Sequence, residues 1–169
     1  MNKKMLAAMN DQIQAELYSA YLYLSMSAYY ESFNLPGFAN WMRLQATEEN
    51  EHAMKFFDYI IDRGGRVELL ALEAPPVDFE DPLTAFKMAY EHETMVTARI
   101  HKLYALAVAE NDFPSQSLLT WFVDEQVEEE KSTLEVVEQL EMVGDHKMGL
   151  FMVDRELGQR QAGVEDGEE

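Results

Sequence analysis

Apolar residues recur every three to four positions along four long stretches of this chain, and no stretch shows the sustained alternation in twos that a half-buried strand requires. Residues 3–33 run without Pro or Gly and end at Asn34-Leu35-Pro36-Gly37. Residues 38–63 end at Gly64-Gly65, a favourable helix C-terminus. Asp81-Pro82 reads as an N-cap followed by Pro at the first helical position, opening a third segment that runs to about Glu110. The break Asn111–Ser115 follows, with Ser115 as the expected N-cap of a fourth segment ending at Gly144. Asp145 is the expected cap of a short fifth segment, Lys147–Leu157. The pattern predicts an all-α fold, a four-helix bundle with a short C-terminal fifth helix.

The connections predict the topology. The first and second segments, and the third and fourth, are joined by only a few residues, so each pair forms an antiparallel hairpin. The link 65–81 is too long for a turn: at ~3.3 Å per residue it spans up to ~56 Å, more than the ~42 Å length of a 28-residue helix. It can therefore cross the bundle and leave the second and third helices parallel. Its Val67, Leu69, Leu70, Leu72, Val77 and Phe79 are expected to pack down on the helices.

Following each helix in steps of three and four gives its core stripe. The stripes read Leu6, Met9, Ile13, Glu16, Ala20, Tyr23, Ser27, Tyr30; then Phe38, Trp41, Gln45, Glu49, His52, Phe56, Tyr59; then Phe86, Ala89, Glu93, Val96, Ile100, Leu103, Ala107; and finally Leu119, Phe122, Gln126, Glu129, Thr133, Val136, Leu140. Each apolar seam is interrupted near its middle by a carboxylate. Glu16 and Glu49 are equidistant from the first turn, and Glu93 and Gln126 from the second. Both pairs share the same separation of 33 residues, the mark of a repeated hairpin. His52 follows Glu49, and Glu129 follows Gln126, at i+3 on the same helical face. The four carboxylates thus converge on one mid-bundle level.

Two carboxylates ~4 Å apart repel by about 4 kcal/mol at an effective dielectric near 20, so four in a core need protons or cations. Two divalent ions match the charge of Glu16, Glu49, Glu93 and Glu129, and oxygen ligands with one imidazole suit iron or manganese better than a closed zinc site. A purely structural polar network is the competing explanation. Around helix one, Tyr18, Tyr21, Met26 and Tyr29 add a second apolar face, expected to meet another subunit.

Overall charge narrows the function further. The net charge of −19 argues against nucleic-acid and anionic-membrane partners, because both are polyanions. No run approaches the roughly 18 apolar residues of a membrane span, and Asn10-Asp11-Gln12 interrupts the only apolar stretch near the N-terminus. With no cysteine, disulfides, thiolate metal sites and thiol nucleophiles are excluded. A soluble, cytoplasmic, acidic protein is expected, one domain over residues 1–157 with an acidic, disordered tail over 158–169.

The combination Glu16…Tyr23, Glu48-Glu49-x-x-His52-Ala53-Met54, Glu93 and Glu125-Gln126-Val127-Glu128-Glu129 resembles the non-haem ferritins of bacteria and archaea across nearly the whole chain. The resemblance implies a ferritin-like bundle, a shell of twenty-four identical subunits, and storage of ferric mineral after oxidation of Fe(II) by O₂ or hydrogen peroxide. It further implies that Glu16 and His52 hold one iron, Glu93 and Glu129 a second, and Glu49 bridges them, with Gln126 beside the pair and Tyr23 as a redox-active neighbour. A third iron would use Glu48, Glu125 and Glu128, sharing Glu129; on composition alone these three are ordinary solvated helix acids. Haem is not expected, since Gln126-x-x-Glu129 replaces the second ExxH motif of bacterioferritins and Asn50 stands where they carry the haem-ligating Met. The absence of cysteine excludes the rubrerythrin relative. A di-iron oxidase that forms no cage and a metal-free scaffold bundle remain as alternatives.

Overall fold

The computed structural model describes residues 1–161. The remainder of the acidic tail expected at 158–169 lies outside the described residues. Five helices are present, α1 (Lys3–Ser32), α2 (Pro36–Asp62), α3 (Pro82–Ala109), α4 (Phe113–Val143) and α5 (Lys147–Leu157). Among the described residues there is no strand, and no helix is long and apolar enough to cross a membrane.

Local chemistry explains most of the boundaries. Asn2 caps α1 by accepting from Met5 N, and Asp81 caps α3 by accepting from Thr84 N at 2.7 Å. The fourth helix starts earlier than the sequence pattern suggests: Asp112, not Ser115, is its N-cap, and Ser115 N donates to Asp112 Oδ1. Pro114 falls in the first turn, where a missing N–H costs nothing, and Arg63 fixes Asp112 at 3.0 Å. His146 rather than Asp145 precedes α5, with no side-chain cap bond. The two hairpin turns repeat each other, since Asn34 and Asn111 both adopt positive φ and each lies eighteen residues beyond its hairpin's first stripe carboxylate.

Contacts across the bundle fix its topology. Along α1 and α3 the partners run in opposite directions, from Lys4–Glu110 through Gln12–Arg99 and Ser19–His92 to Tyr30 and the Pro82 carbonyl. Along α2 and α4 they do likewise, from Gln45–Glu129 through the stacked rings of Phe56 and Phe122 to Tyr59–Ser115. With both hairpins antiparallel, α2 and α3 are parallel, as the long link requires.

That link does not pack as fully as its composition suggests. It is pinned along α1 by Asn10, Gln14 and Ser25, which bond the backbone of Arg66, Glu68, Ala71 and Pro76. Phe79 is buried against Tyr29, and Val67 is partly buried, but Leu69, Leu70, Leu72 and Val77 stay exposed on this subunit. The second apolar face of α1 is correspondingly smaller than expected. Met26 and Tyr29 are buried within the subunit, leaving Tyr21 and Leu24 outside.

The apolar interior comes in two parts. One cluster is built around Tyr30, Phe38, Trp41 and Phe86 and reaches Val153 and Leu157 of α5; the other is built around Met9, Phe56, Ile100 and Phe122. Between them sits the polar layer predicted from the stripes.

The fifth helix is attached by an unusual cap. Leu35, at the N-cap of α2, has no side-chain bond to offer, and Asp154 of α5 supplies it instead, accepting from Gly37 N at 2.8 Å and Phe38 N at 3.1 Å. Gly37 makes this approach feasible, because a Cβ there would stand 1.6 Å from the Asp154 carbonyl oxygen. Asp154→Ala is expected to cost about 1–3 kcal/mol by orphaning two buried N–H groups. Gly37→Ala is expected to undock α5 outright. Hydrogen exchange over residues 147–157 should accelerate sharply in both variants while the four long helices stay protected.

Candidate metal centre

The layer is made by four helices presenting the same seam positions to one another. Glu16, Glu49, His52, Glu93, Gln126 and Glu129 are all buried, none more than 5% exposed, and Tyr23 is fully buried beside them. One oxygen or nitrogen from each of Glu16, Glu49 and His52 can be chosen so that all lie within 4.8 Å of one another, and the same holds for His52, Glu125 and Glu129. His52 therefore belongs to both groups. Its Nδ1 stands 3.6 Å from Glu49 Oε2 and its Nε2 3.9 Å from Glu125 Oε1, and its ring packs edge-on to Trp121 and Phe122. Glu93 completes the layer from α3, accepting from the Tyr23 hydroxyl on Oε1 and from Gln126 Nε2 on Oε2 at 3.3 Å.

Two further residues shape the site, and the sequence reading did not select them. Gln12 Nε2 donates to Glu16 Oε1 at 2.9 Å, while its Oε1 accepts from Arg99 Nε at 3.2 Å. Arg99 thereby sets which way the Gln12 amide faces. Gln45 Nε2 donates to Glu129 Oε2 at 2.7 Å. For Gln12 the i−4 spacing to Glu16 was the available signal, whereas Gln45, a member of the α2 stripe, reaches Glu129 across the bundle.

Burial and mutual repulsion dominate the electrostatics of the layer. Glu16 Oε2 and both oxygens of Glu49 are buried with no partner among the described residues except, when one of the two carboxyls is protonated, each other. No lysine or arginine is buried among those residues. Burial pushes Glu16 and Glu93 up to about 7. It drives Glu49 and Glu129 well above the usual carboxylate range, with the charge of Glu93 adding to the effect on each. Tyr23 is likewise held well above its ordinary value by burial and the neighbouring carboxylates, so its phenol keeps its proton. Orphaned carboxylate oxygens converging with an imidazole are a donor set that fits divalent iron or manganese.

The acids assigned to a third iron lie in a different environment. Glu48, Glu125 and Glu128 line a cavity of about 470 Å³ with Glu129, Ser132, Arg160 and, paired with each other at 3.7 Å, Lys131 and Glu135. Glu48 and Glu125 are partly buried and Glu128 is exposed. Burial raises Glu48, and the Arg160 guanidinium, 2.7 Å from its Oε2, partly offsets that rise.

Comparison with known proteins agrees with this geometry. Residues 6–143 match the model of the ferritin-like domain. The chain belongs to the ferritin family. It is 41% identical over 160 residues to a bacterial non-heme ferritin of Bacteroides fragilis, covering 95% of this chain and 99% of that protein. A bacterial non-heme ferritin of Staphylococcus aureus is 39% identical over the same share of this chain and 96% of its own. Among solved structures, an open-pore ferritin from the hyperthermophilic archaeon Archaeoglobus fulgidus superposes with a TM-score of 0.95 at 53% identity, covering 95% of this chain and 99% of that one. A closed form of the same archaeal ferritin, made by site-directed mutagenesis, superposes equally well at 52% identity.

The raised carboxylates make the stability of this ferritin subunit depend on pH in a definite direction. Between the ordinary carboxylate range and about 7, the native layer binds more protons than the unfolded chain, so its contribution to stability falls as pH rises through that window. A metal-free Glu16→Gln/Glu49→Gln variant should therefore melt higher than the metal-free parent at about pH 8, and the gap should close toward about pH 5. At ~2–4 °C per kcal/mol for a chain of this size, the difference is readable from melting curves at matched protein concentration.

Proposed function

We propose that this ferritin takes up Fe(II) at the carboxylate layer, passes its electrons to O₂ or hydrogen peroxide, and stores the ferric product as mineral inside a homo-oligomeric shell, in the cytoplasm. The observation that carries the reading is the buried layer itself: four carboxylates, with oxygens of Glu16 and Glu49 that have only each other to bond, beside His52 and without a buried lysine or arginine among the described residues. Fe(II) is the substrate. Glu16 and His52 would bind one ion, Glu93 and Glu129 the second, and Glu49 would bridge them. Two Fe(II) supply two electrons to the oxidant, and the protein contributes positioning and charge compensation. Gln126 is held beside the pair by Glu93 and Thr97. Tyr23, bonded to Glu93, would lend a further electron. Glu48, Glu125 and Glu128, with Glu129 shared, would take a third iron.

Assembly has its own support. The exposed Leu69, Leu70, Leu72 and Val77 of the link lie alongside Tyr21 and Leu24 of α1, and Met148, Phe151 and Met152 form an exposed patch on α5. Such apolar surface on one subunit favours a closed assembly over a free monomer, and twenty-four copies is the number implied by the family.

Aerobic addition of excess Fe(II), followed by sizing, tests storage: particles holding far more iron than the binding sites can hold are expected. A non-caging oxidase would turn over without retaining iron. Glu49→Ala with His52→Ala is expected to cut the initial oxidation rate by more than about tenfold, since even loss of a ligand's supporting partner costs that much in metal sites. An unchanged initial rate would remove the site assignment. Leu24→Arg with Leu72→Arg should shift the light-scattering mass from the shell toward small species, while far-ultraviolet circular dichroism still reports folded helices.

A further inference from the structure

The acids next to the buried layer are served by a cation of the chain itself. Arg160 lies three residues beyond α5, just past a turn closed by Gly158 N to the Asp154 carbonyl and Arg160 N to the Leu157 carbonyl. Its own carbonyl accepts from Asn40 Nδ2 at 3.2 Å, its guanidinium carbon stands 4.7 Å from the centre of the Trp41 ring, and its Nη2 reaches Glu48 Oε2 at 2.7 Å. Trp41 and Glu48 lie two turns apart on one face of α2, with Asn40 adjoining Trp41, so the chain end is laid along that helix toward the carboxylate layer. The second guanidinium nitrogen, Nη1, is buried with no hydrogen-bond partner among the described residues.

A simple staple for the C-terminal segment would need less than this. The carbonyl bond to Asn40 and the stacking on Trp41 already fix the segment, so the Arg–Glu pair is not needed to hold it. What the pair does change is the charge inside the acid-lined cavity. One oxygen of Glu48 is occupied by a resident monovalent cation, whereas no lysine or arginine is buried in the neighbouring layer among the described residues.

We propose that Arg160 is a specificity-determining residue, the built-in counter-ion of the cation pocket formed by Glu48, Glu125, Glu128 and Glu129, which an incoming ion must displace from Glu48 in order to bind. The inference rests on the third-iron reading given above. Displacement favours multivalent ions: a monovalent ion gains no more from Glu48 than the guanidinium already does, and lacks its directed hydrogen bond, whereas the attraction of a divalent or trivalent ion to the same acids scales with its charge. The pocket consequently holds iron more loosely than the buried layer, and lets it leave.

The test is an anaerobic calorimetric titration of Fe(II) into the assembled full-length protein, its Arg160→Met variant and the Arg160→Met/Glu48→Gln double variant. Met keeps an unbranched apolar stem against Trp41 and drops the charge. Two tight ions per subunit are expected in all three. The third should bind about tenfold tighter in Arg160→Met, the worth of one charge-assisted hydrogen bond, and the gain should vanish in the double variant. Trp41 emission gives an independent readout: the third ion should change it in the parent, where the guanidinium leaves the ring, and leave it unchanged in Arg160→Met. Equal third-ion affinity in parent and variant would overturn the role of Arg160 and leave the third site standing. Two ions and no third in both proteins would remove the third site, and this inference with it. Should Arg160→Met not assemble, Arg160→Lys serves, because it keeps the charge without the planar fork and is expected to fall between the other two.

Discussion

Four carboxyl groups buried at one level of a helical bundle, with no buried lysine or arginine among the described residues, are the constraint on which the rest of this structure depends. Such a layer cannot be both ionised and uncompensated. An arginine placed directly on the carboxylates would hold the charge that a cation could otherwise supply; Arg99 acts on Glu16 from behind Gln12 and offsets only part of the rise that burial causes. The bundle uses neutral donors instead. Gln12, Gln45 and Gln126 each give an N–H to a carboxylate, on Glu16, Glu129 and Glu93 respectively. These bonds fix one oxygen of each group without contributing charge, and the repulsion among the carboxylates is left for protons or cations to relieve. The apolar interior is split into two clusters by this layer, so the packing that stabilises the bundle lies at its two ends and the strain of the site is held between them.

The layer was legible in the sequence because it obeys a period. Glu16, Glu49, Glu93 and Glu129 each replace an apolar residue in a stripe of 3.6-residue spacing, and the two short turns set their levels, so residue spacing alone brings them together. Interactions between residues distant in sequence were not legible. Asp154 caps α2 from 117 residues away, and nothing around Pro36 announces it. Arg160 meets Glu48 across 112 residues. The start of α4 was misplaced for a local reason: Ser115 and Asp112 are both acceptable caps, and the ion pair with Arg63 that selects Asp112 comes from another helix. The link misled in another way. Apolar composition indicated that Leu69, Leu70 and Leu72 would be covered, but not whether the same subunit or another would cover them.

The short fifth helix is connected to the site more directly than its size suggests. Gly37 lets α5 approach the N-terminus of α2, Asp154 locks it there, Val153 and Leu157 join the core cluster that contains Trp41, and the turn that follows delivers Arg160 onto Trp41 and Glu48. Each step depends on the one before. A substitution at Gly37, far along the chain from the carboxylates, would therefore reach the acid pocket through the position of Arg160, without touching any proposed ligand.

Two kinds of acid site thus stand side by side, sharing Glu129. In the inner one, burial and mutual repulsion raise the carboxylates, a state that a bound cation would relieve. In the outer one, a guanidinium already offsets part of the charge, so an ion gains only the difference between its own attraction and that of Arg160. The same residue type, a glutamate on a helix, therefore gives strong or weak cation affinity according to whether a resident cation is packed against it. In this chain the difference between the two sites is proposed to come from Arg160, which the segment beyond the last helix lays against Glu48.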